Sequence, residues 1–225
     1  MISVIIPALN EERALPETLQ HLFNLPGNFE AILVDGGSTD ATIAVAGAWP
    51  ALTIIRSNPG RAAQMNAGAA AASGDMLLFL HADTLLPRSA LVLLDHLAAK
   101  KQSQWGGFHH RFSGNSTSLR LISYLNNFRC RLTGVFYGDQ AMFADRGLFE
   151  SLAGFPETAT LEDVMLSESL LKIAKPHFLA ESVTTDSRKF EQMGTLRSFC
   201  RCLLILISYE QRLPILGRRF FTAIR

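Results

Sequence analysis

The chain has 225 residues, 48% of them hydrophobic and 18% charged, a composition that excludes intrinsic disorder. A formal net charge of +1 argues against a uniformly basic nucleic-acid binder, and no nucleic acid is expected as a partner. Three cysteines, Cys130, Cys200 and Cys202, without CxxC spacing exclude a disulfide scaffold and a four-cysteine zinc site, and fit a reducing, cytoplasmic compartment.

In chain order, the opening MISVIIPALNEE meets an acidic pair after a few apolar residues and has no basic region before them. It therefore reads as a core strand, Ser3–Ile6, and not as a signal peptide. Three further apolar runs, Ala31–Val34, Leu52–Ile55 and Met76–Leu80, are strand candidates whose two alternating faces are both apolar, as buried parallel sheets require. Helices are expected between them. One opens at Pro16 with Glu17 in its first turn, and one is capped by Ser38 or Thr39 and runs through Ala48. The Ala-rich Arg61–Ala72 stops at Ser73-Gly74, and Arg88–Lys100 follows Pro87. The rhythm predicts a mostly parallel α/β sheet with right-handed crossovers.

Beyond Lys101 the rhythm loosens. Strands are expected at Gly106–Arg111 and Gln140–Ala144, and helices at about Leu119–Leu132, Gly147–Leu152 and Leu161–Ala174. The last ~40 residues predict an amphipathic helix, with Leu196, Phe199, Leu203, Leu206 and Ile207 on one stripe and Arg197, Arg201 and Arg212 off it. The longest apolar run there, Leu203–Ile207, is far short of the roughly 18 residues that cross a bilayer. With no linker or repeat, the expectation is one domain over 1–225 with a basic tail at 187–225.

Charge is unevenly spread. Residues 1–186 carry 13 Lys/Arg against 18 Asp/Glu, whereas residues 187–225 carry 8 against 2. A second stretch, His96–Gly138, holds Lys100, Lys101, Arg111, Arg120, Arg129 and Arg131 and no acid. Such segments are either solvated faces or attractors of an anionic ligand or lipid.

Ligands of open α/β sheets collect beyond the carboxyl ends of the strands. Here those ends carry Pro7, Asn10, Glu11 and Glu12; then Asp35-Gly36-Gly37-Ser38-Thr39-Asp40; then Asn58-Pro59-Gly60-Arg61; then His81-Ala82-Asp83-Thr84. Four polar ends in succession point to a shared crevice. Neither GxGxxG after the first strand nor GxxxxGK[ST] anywhere is present, which disfavours a Rossmann dehydrogenase and a P-loop ATPase. Phosphates would then be neutralised by a hard divalent cation on one or two carboxylates, and Asp83, directly after MLLFL, is placed for that.

In order and spacing, VIIPALNEE, LVDGGSTD, NPGRAAQMNAGAAAASGD, FLHADT and LEDVMLSESL resemble the motifs of family 2 glycosyltransferases. The likeness is strongest to short single-domain bacterial members with FLHADT, GDQ and a late segment that here reads Ser187-Arg188-Lys189-Phe190. The resemblance implies a GT-A fold, with a Rossmann-like nucleotide-sugar-binding half over 1–100 and an acceptor half over 101–186. It also implies Mg2+ or Mn2+, a nucleotide-diphosphate sugar donor, a hydroxyl acceptor and inversion of configuration. Carried over residue by residue, it puts Pro7, Asn10, Glu11, Asp35, Arg61, Asn66 and His81 on the donor, Asp83 on the metal, and Asp163 with Glu162 at the catalytic base. Asp139 of Gly138-Asp139-Gln140 is a further candidate on the acceptor side. Two departures stand out. The family's DxD reads His81-Ala82-Asp83, so His81 either ligates a softer ion such as Mn2+ or hydrogen-bonds the sugar. The family's VDDGS reads Val34-Asp35-Gly36-Gly37-Ser38, which leaves the nucleotide base open.

Sugar transfer needs the charge growing on the leaving diphosphate stabilised and a proton taken from the acceptor hydroxyl. Asp83 and Asp163 fit those two tasks, although a helix amino terminus would lower the basicity of Asp163 unless burial compensates. Glu162 and Asp163 otherwise read as first-turn acids, and Asp35 and Asp40 as turn and cap residues. His109 and His110, adjacent on a strand, face opposite sides and read as structural, while His21, His96 and His177 have no partner at ligand spacing. The basic segments suggest a lipid or lipid-linked acceptor and peripheral contact with the inner face of the membrane; oligomeric state is left open. The alternatives are a catalytically idle scaffold and a sugar nucleotidyltransferase, the latter disfavoured because Pro7–Glu12 lacks glycine.

Overall fold

The computed structural model describes residues 1–100, 103–157 and 161–194, together with residues 197 and 199. Its first half alternates β1 (Ile2–Ala8), α1 (Leu15–Phe23), β2 (Phe29–Asp35), α2 (Thr42–Gly47), β3 (Leu52–Arg56), α3 (Arg61–Ala71) and β4 (Met76–Phe79). A short β5 (Thr84–Leu85) and α4 (Ala90–Ala98) lead to β6 (Trp105–Phe112) and the long α5 (Thr117–Thr133). After a 3-10 turn at Gly138–Gln140 come β7 (Phe143–Asp145), α6 (Arg146–Ser151), α7 (Glu162–Leu171), β8 (His177–Thr185) and α8 (Arg188–Gln192). The helix expected over the last 40 residues falls largely outside the described residues, α8 being the part within them.

The strands form one sheet in the order β3-β2-β1-β4-β7-β6-β8-β5. β1 pairs in parallel with β2 and β4, and β2 with β3, as the apolar runs predicted. β7 enters antiparallel between β4 and β6, and β8 runs parallel to β6 with a register shift between Phe108 and His109. The alternation of side chains along β1 explains why both faces had to be apolar. Ile2, Val4 and Ile6 join a core with α1 and α4 residues such as Leu19 and Leu94, whereas Ile5 joins the opposite core with Met65 of α3 and Leu170 of α7.

Two expectations are corrected. The second helix does not start at Ser38 or Thr39. Ser38 Oγ instead accepts from the Asn10 amide at 2.9 Å, and Asp40 accepts from the Thr42 amide, so the helix begins at Thr42. The strand expected at Gln140–Ala144 is confined to Phe143–Asp145, because Gln140 closes the 3-10 turn.

Candidate active site

The carboxyl ends of β1 and β2 are tied together by one buried side chain. Gln64 of α3 donates through Nε2 to the Ala8 and Val34 carbonyls, both at 2.8 Å. A Cβ on Gly36 would come within 2.9 Å of the Gln64 amide, so the space of a second acid there is already occupied. Asp35 is buried, and its carboxylate accepts from the Gly37 and Ser38 amides at 3.3 and 3.0 Å. Asn10, at φ 57, accepts from the Thr39 amide at 2.8 Å and ties the two loops across the crevice. Pro7 is half-buried on β1 opposite Val34.

A tighter group forms where β4, the 3-10 turn and α7 meet. Leu161, with φ 64, turns the chain into α7 in a left-handed conformation that disfavours a branched side chain, and presents Glu162 and Asp163 in the first turn. Glu162 is buried and Asp163 half-buried. Asp163 Oδ2 accepts from the Gly138 amide at 2.6 Å, and Oδ1 from the Val164 amide at 2.8 Å. Burial, followed by the neighbouring Glu162 charge, nevertheless pushes the Asp163 carboxyl up to about 6. Those effects outweigh the helix terminus, the Gly138 hydrogen bond and the Arg61 charge, which lower it. Arg61 Nε stands 3.7 Å from Glu162 Oε1, an atom without a hydrogen bond among the described residues.

Gly138 explains itself sterically. A Cβ there would lie 2.6 Å from His81 Nε2 and 3.5 Å from Asp163 Oδ2, so only glycine lets the turn approach both side chains. Burial, reinforced by the Arg61, Lys189 and His110 charges, holds the His81 imidazole well below its ordinary value, so it is neutral at pH 7. Its Nε2 is buried and has no hydrogen-bond partner among the described residues.

On the other flank, Lys189 of α8 reaches back across the sheet. Its Nζ donates to Glu11 Oε1 at 2.6 Å and lies 3.9 Å from Asp83 Oδ2. Burial raises both the Glu11 and the Asp83 carboxyls above their ordinary range, against the opposing Lys189 and Arg61 charges. Glu11, Arg61, His81, Asp83, Glu162 and Asp163 are thus gathered at one mouth of the sheet. Asn66 is set apart from them. Its amide clamps the Phe155 backbone in both directions at 2.9 Å, and it lines a separate cleft of about 620 Å3 with Phe155, Met165 and Lys172.

Two participants, Lys189 and His110, were not assigned from sequence. Lys189 lies in the quoted Ser187-Arg188-Lys189-Phe190 segment, which was the signal available for it. His110 is buried with neither ring nitrogen hydrogen-bonded among the described residues, and its Nε2 is 3.6 Å from Asp139 Oδ2. Asp139 Oδ1 is likewise buried without a hydrogen bond. His109, by contrast, turns to Arg131 at 3.1 Å, so the adjacent histidines do face apart.

No group of three His, Cys, Asp or Glu side chains is arranged to hold a metal among the described residues. The half-buried carboxylate of Asp83, in a strand-end crevice, would suit an open site for Mg2+ or Mn2+, hard cations that need only one or two protein carboxylates beside waters and phosphate. Buried anions without full compensation are what such a cation relieves.

The model of the family described as "Glycosyl transferase family 2" matches residues 3–150. A PGL/p-HBAD biosynthesis glycosyltransferase of Mycobacterium tuberculosis is 42% identical over 93 residues, covering 38% of this chain and 36% of that protein. The chain thus matches about a third of the length of its curated relatives. Among solved structures, S. aureus TarS 1-349 in complex with UDP-GlcNAc superposes with a TM-score of 0.67 at 19% identity, covering 83% of this chain and 58% of that one. Glucosyl-3-phosphoglycerate synthase from Mycobacterium tuberculosis, in complex with Mn2+ and UDP-glucose, gives 0.65 at 20% identity over 96% and 81%. At those identities the likeness establishes a shared fold.

Proposed function

The chain belongs to glycosyl transferase family 2, and from that premise we propose that it moves a sugar from a nucleoside diphosphate to a hydroxyl acceptor in a single inverting displacement. The observation that carries the reading is the half-buried Asp163 carboxylate, held by the Gly138 amide at the same mouth of the sheet as Asp83, Arg61 and His81, where desolvation pushes it up to about 6. A carboxylate tuned toward neutrality is an effective general base near pH 7.

Asp163 removes the proton of the acceptor hydroxyl as its oxygen bonds to the anomeric carbon, and the carbon–oxygen bond to the diphosphate breaks with its electron pair leaving on phosphate. Arg61 faces the leaving group with positive charge. Neutral His81, with Nε2 free of protein partners among the described residues, hydrogen-bonds the donor sugar. Asp83 would hold a divalent cation, which when bound would supply Lewis-acid stabilisation of the departing diphosphate. The nucleotide sugar and Mn2+ in the neighbouring structures support this donor and cofactor. Buried polar atoms of His110 and Asp139 beside Gly138 support a hydroxyl-rich acceptor. The basic segments support an acceptor at an anionic membrane leaflet.

A thermal-shift panel of nucleoside diphosphates with and without Mn2+ tests the donor side. A ligand at about a hundred times its Kd stabilises by about 2.7 kcal/mol. Asp83→Ala is expected to lose the metal-dependent part of that shift while unfolding without ligand near the wild-type temperature, since its carboxylate lies at a strand-end crevice. A full metal-stimulated shift in the variant would falsify the Asp83 assignment. Failure of the wild type to release nucleoside diphosphate from any nucleotide sugar would leave the idle scaffold.

A further inference from the structure

The surface that the donor chemistry does not use lies on α5. This helix buries Leu119, Ser123 and Cys130 on one side. On the other it leaves Leu121, Tyr124, Leu125, Phe128 and Leu132 between 40% and 71% exposed. At 3.6 residues per turn these five fall within an arc of about 100°, a continuous stripe and not scattered apolar residues. Tyr124 and Phe128 stack with ring centroids 6.4 Å apart along its middle. Contiguous apolar surface of this kind marks an interaction site.

What borders the stripe identifies its occupant. Arg120 and Arg131 are exposed along one edge, and Arg129 projects from the other toward the Tyr137 ring, 3.6 Å from its centroid. From His96 to Gly138 the chain has six Lys/Arg and no Asp or Glu. An apolar face with one sign of charge on its rims complements an anionic bilayer, where aliphatic and aromatic side chains enter the headgroup boundary and arginines stay with the phosphates. The surface also lies near the chemistry. Gly138, whose amide holds Asp163, lies four positions after the αL cap Gly134, so the helix end is at most about 14 Å of chain from the base's partner.

We propose that the exposed stripe of α5, Leu121, Tyr124, Leu125, Phe128 and Leu132 with Arg120 and Arg131, lies on an anionic lipid surface and brings the acceptor side of the site to the membrane. Its bearing on the acceptor rests on the glycosyltransferase reading; the lipid contact does not.

The test is sedimentation of the full chain with vesicles of phosphatidylcholine alone and of an equimolar mixture with phosphatidylglycerol. The wild type should partition onto the anionic vesicles. Phe128→Asp with Leu132→Asp should lower that partition about tenfold or more, with unfolding temperature and nucleotide-induced shift unchanged. Arg120→Glu with Arg131→Glu should remove the preference for anionic lipid. Equal binding by wild type and the apolar double variant overturns the proposal, as does absence of wild-type binding. It is also overturned by a dimer, seen by light scattering, that the double variant dissociates without any lipid binding. Vesicle binding through α5 in a chain that binds no nucleoside diphosphate would overturn the donor reading and leave this surface standing.

Discussion

At Asp163 opposing electrical effects meet, and their balance sets both activity and stability. The α7 amino terminus and two amide hydrogen bonds favour the anion, whereas burial and Glu162 disfavour it more, leaving the carboxyl near 6. Transfer should therefore rise with pH through about 6 and level off above it, and Asp163→Asn should abolish that limb together with turnover, measured as kcat/KM across pH. Stability should move the other way. The folded carboxyl holds its proton more tightly than the unfolded one, whose value is 3.8. Between those values the native state binds more protons, so stability falls as pH rises from about 4 to above 6. Asp163→Asn removes that pH dependence while setting an NH2 against one of the two backbone N–H donors, so relative to wild type its stability should be about 1–3 kcal/mol more favourable near pH 8 than near pH 4. Urea unfolding at both pH values checks this; an equal effect at the two would mean that the carboxyl is not displaced.

Among the elements, those readable from sequence are the ones whose burial is total. β1 and β4 are apolar on both faces because helices cover both sides of the sheet, and a continuous apolar run marks such a strand. β8 escaped notice because HFLAESVTT is half-buried through most of its length, so neither a continuous run nor clean alternation appears. β5 is two residues long and owes its existence to pairing with Thr184 and Thr185, a partnership about a hundred positions away. The Ala-rich α3 was visible, but not its reason. A Cβ at Gly68 would collide with the Ile5 methyl and crowd Val34 at 3.0 Å, so small residues let α3 press against the sheet and aim Gln64 and Arg61 at the crevice. Alanine in a helix interior ordinarily gains up to about 1 kcal/mol over glycine. At Gly68 the overpacking term, about 1–3 kcal/mol, should win, and Gly68→Ala should lower stability and weaken nucleotide binding together. An unchanged or raised unfolding midpoint would show that the helix has room to retreat.

Across the whole molecule, the site is built from segments that the sequence keeps far apart. The strand-end residues Glu11, Arg61, His81 and Asp83 could be singled out because topology delivers parallel strand ends to one edge. Lys189 could not, since its contact with Glu11 spans 178 positions and depends on β8 returning the chain across the sheet. The Asp186 amide, donating to the Asp83 carbonyl at 3.0 Å, fixes the same return. Lys189 thereby places a tethered ammonium beside two carboxylates whose burial already raises them. Replacing it with methionine leaves those carboxylates facing each other without that charge, and partly buried pairs of this kind matter more than surface bridges. Lys189→Met should therefore destabilise the ligand-free protein by about 1–2 kcal/mol at pH 7, more than an exposed bridge is worth. A divalent cation with a nucleoside diphosphate supplies positive charge at the same mouth, so the loss should shrink when both are added. The variant's unfolding temperature should then rise more on addition of Mn2+ and nucleotide than the wild type's does. A smaller rise would mean that Lys189 instead grips the diphosphate directly, making it a donor ligand and not a counter-ion that the cation relieves.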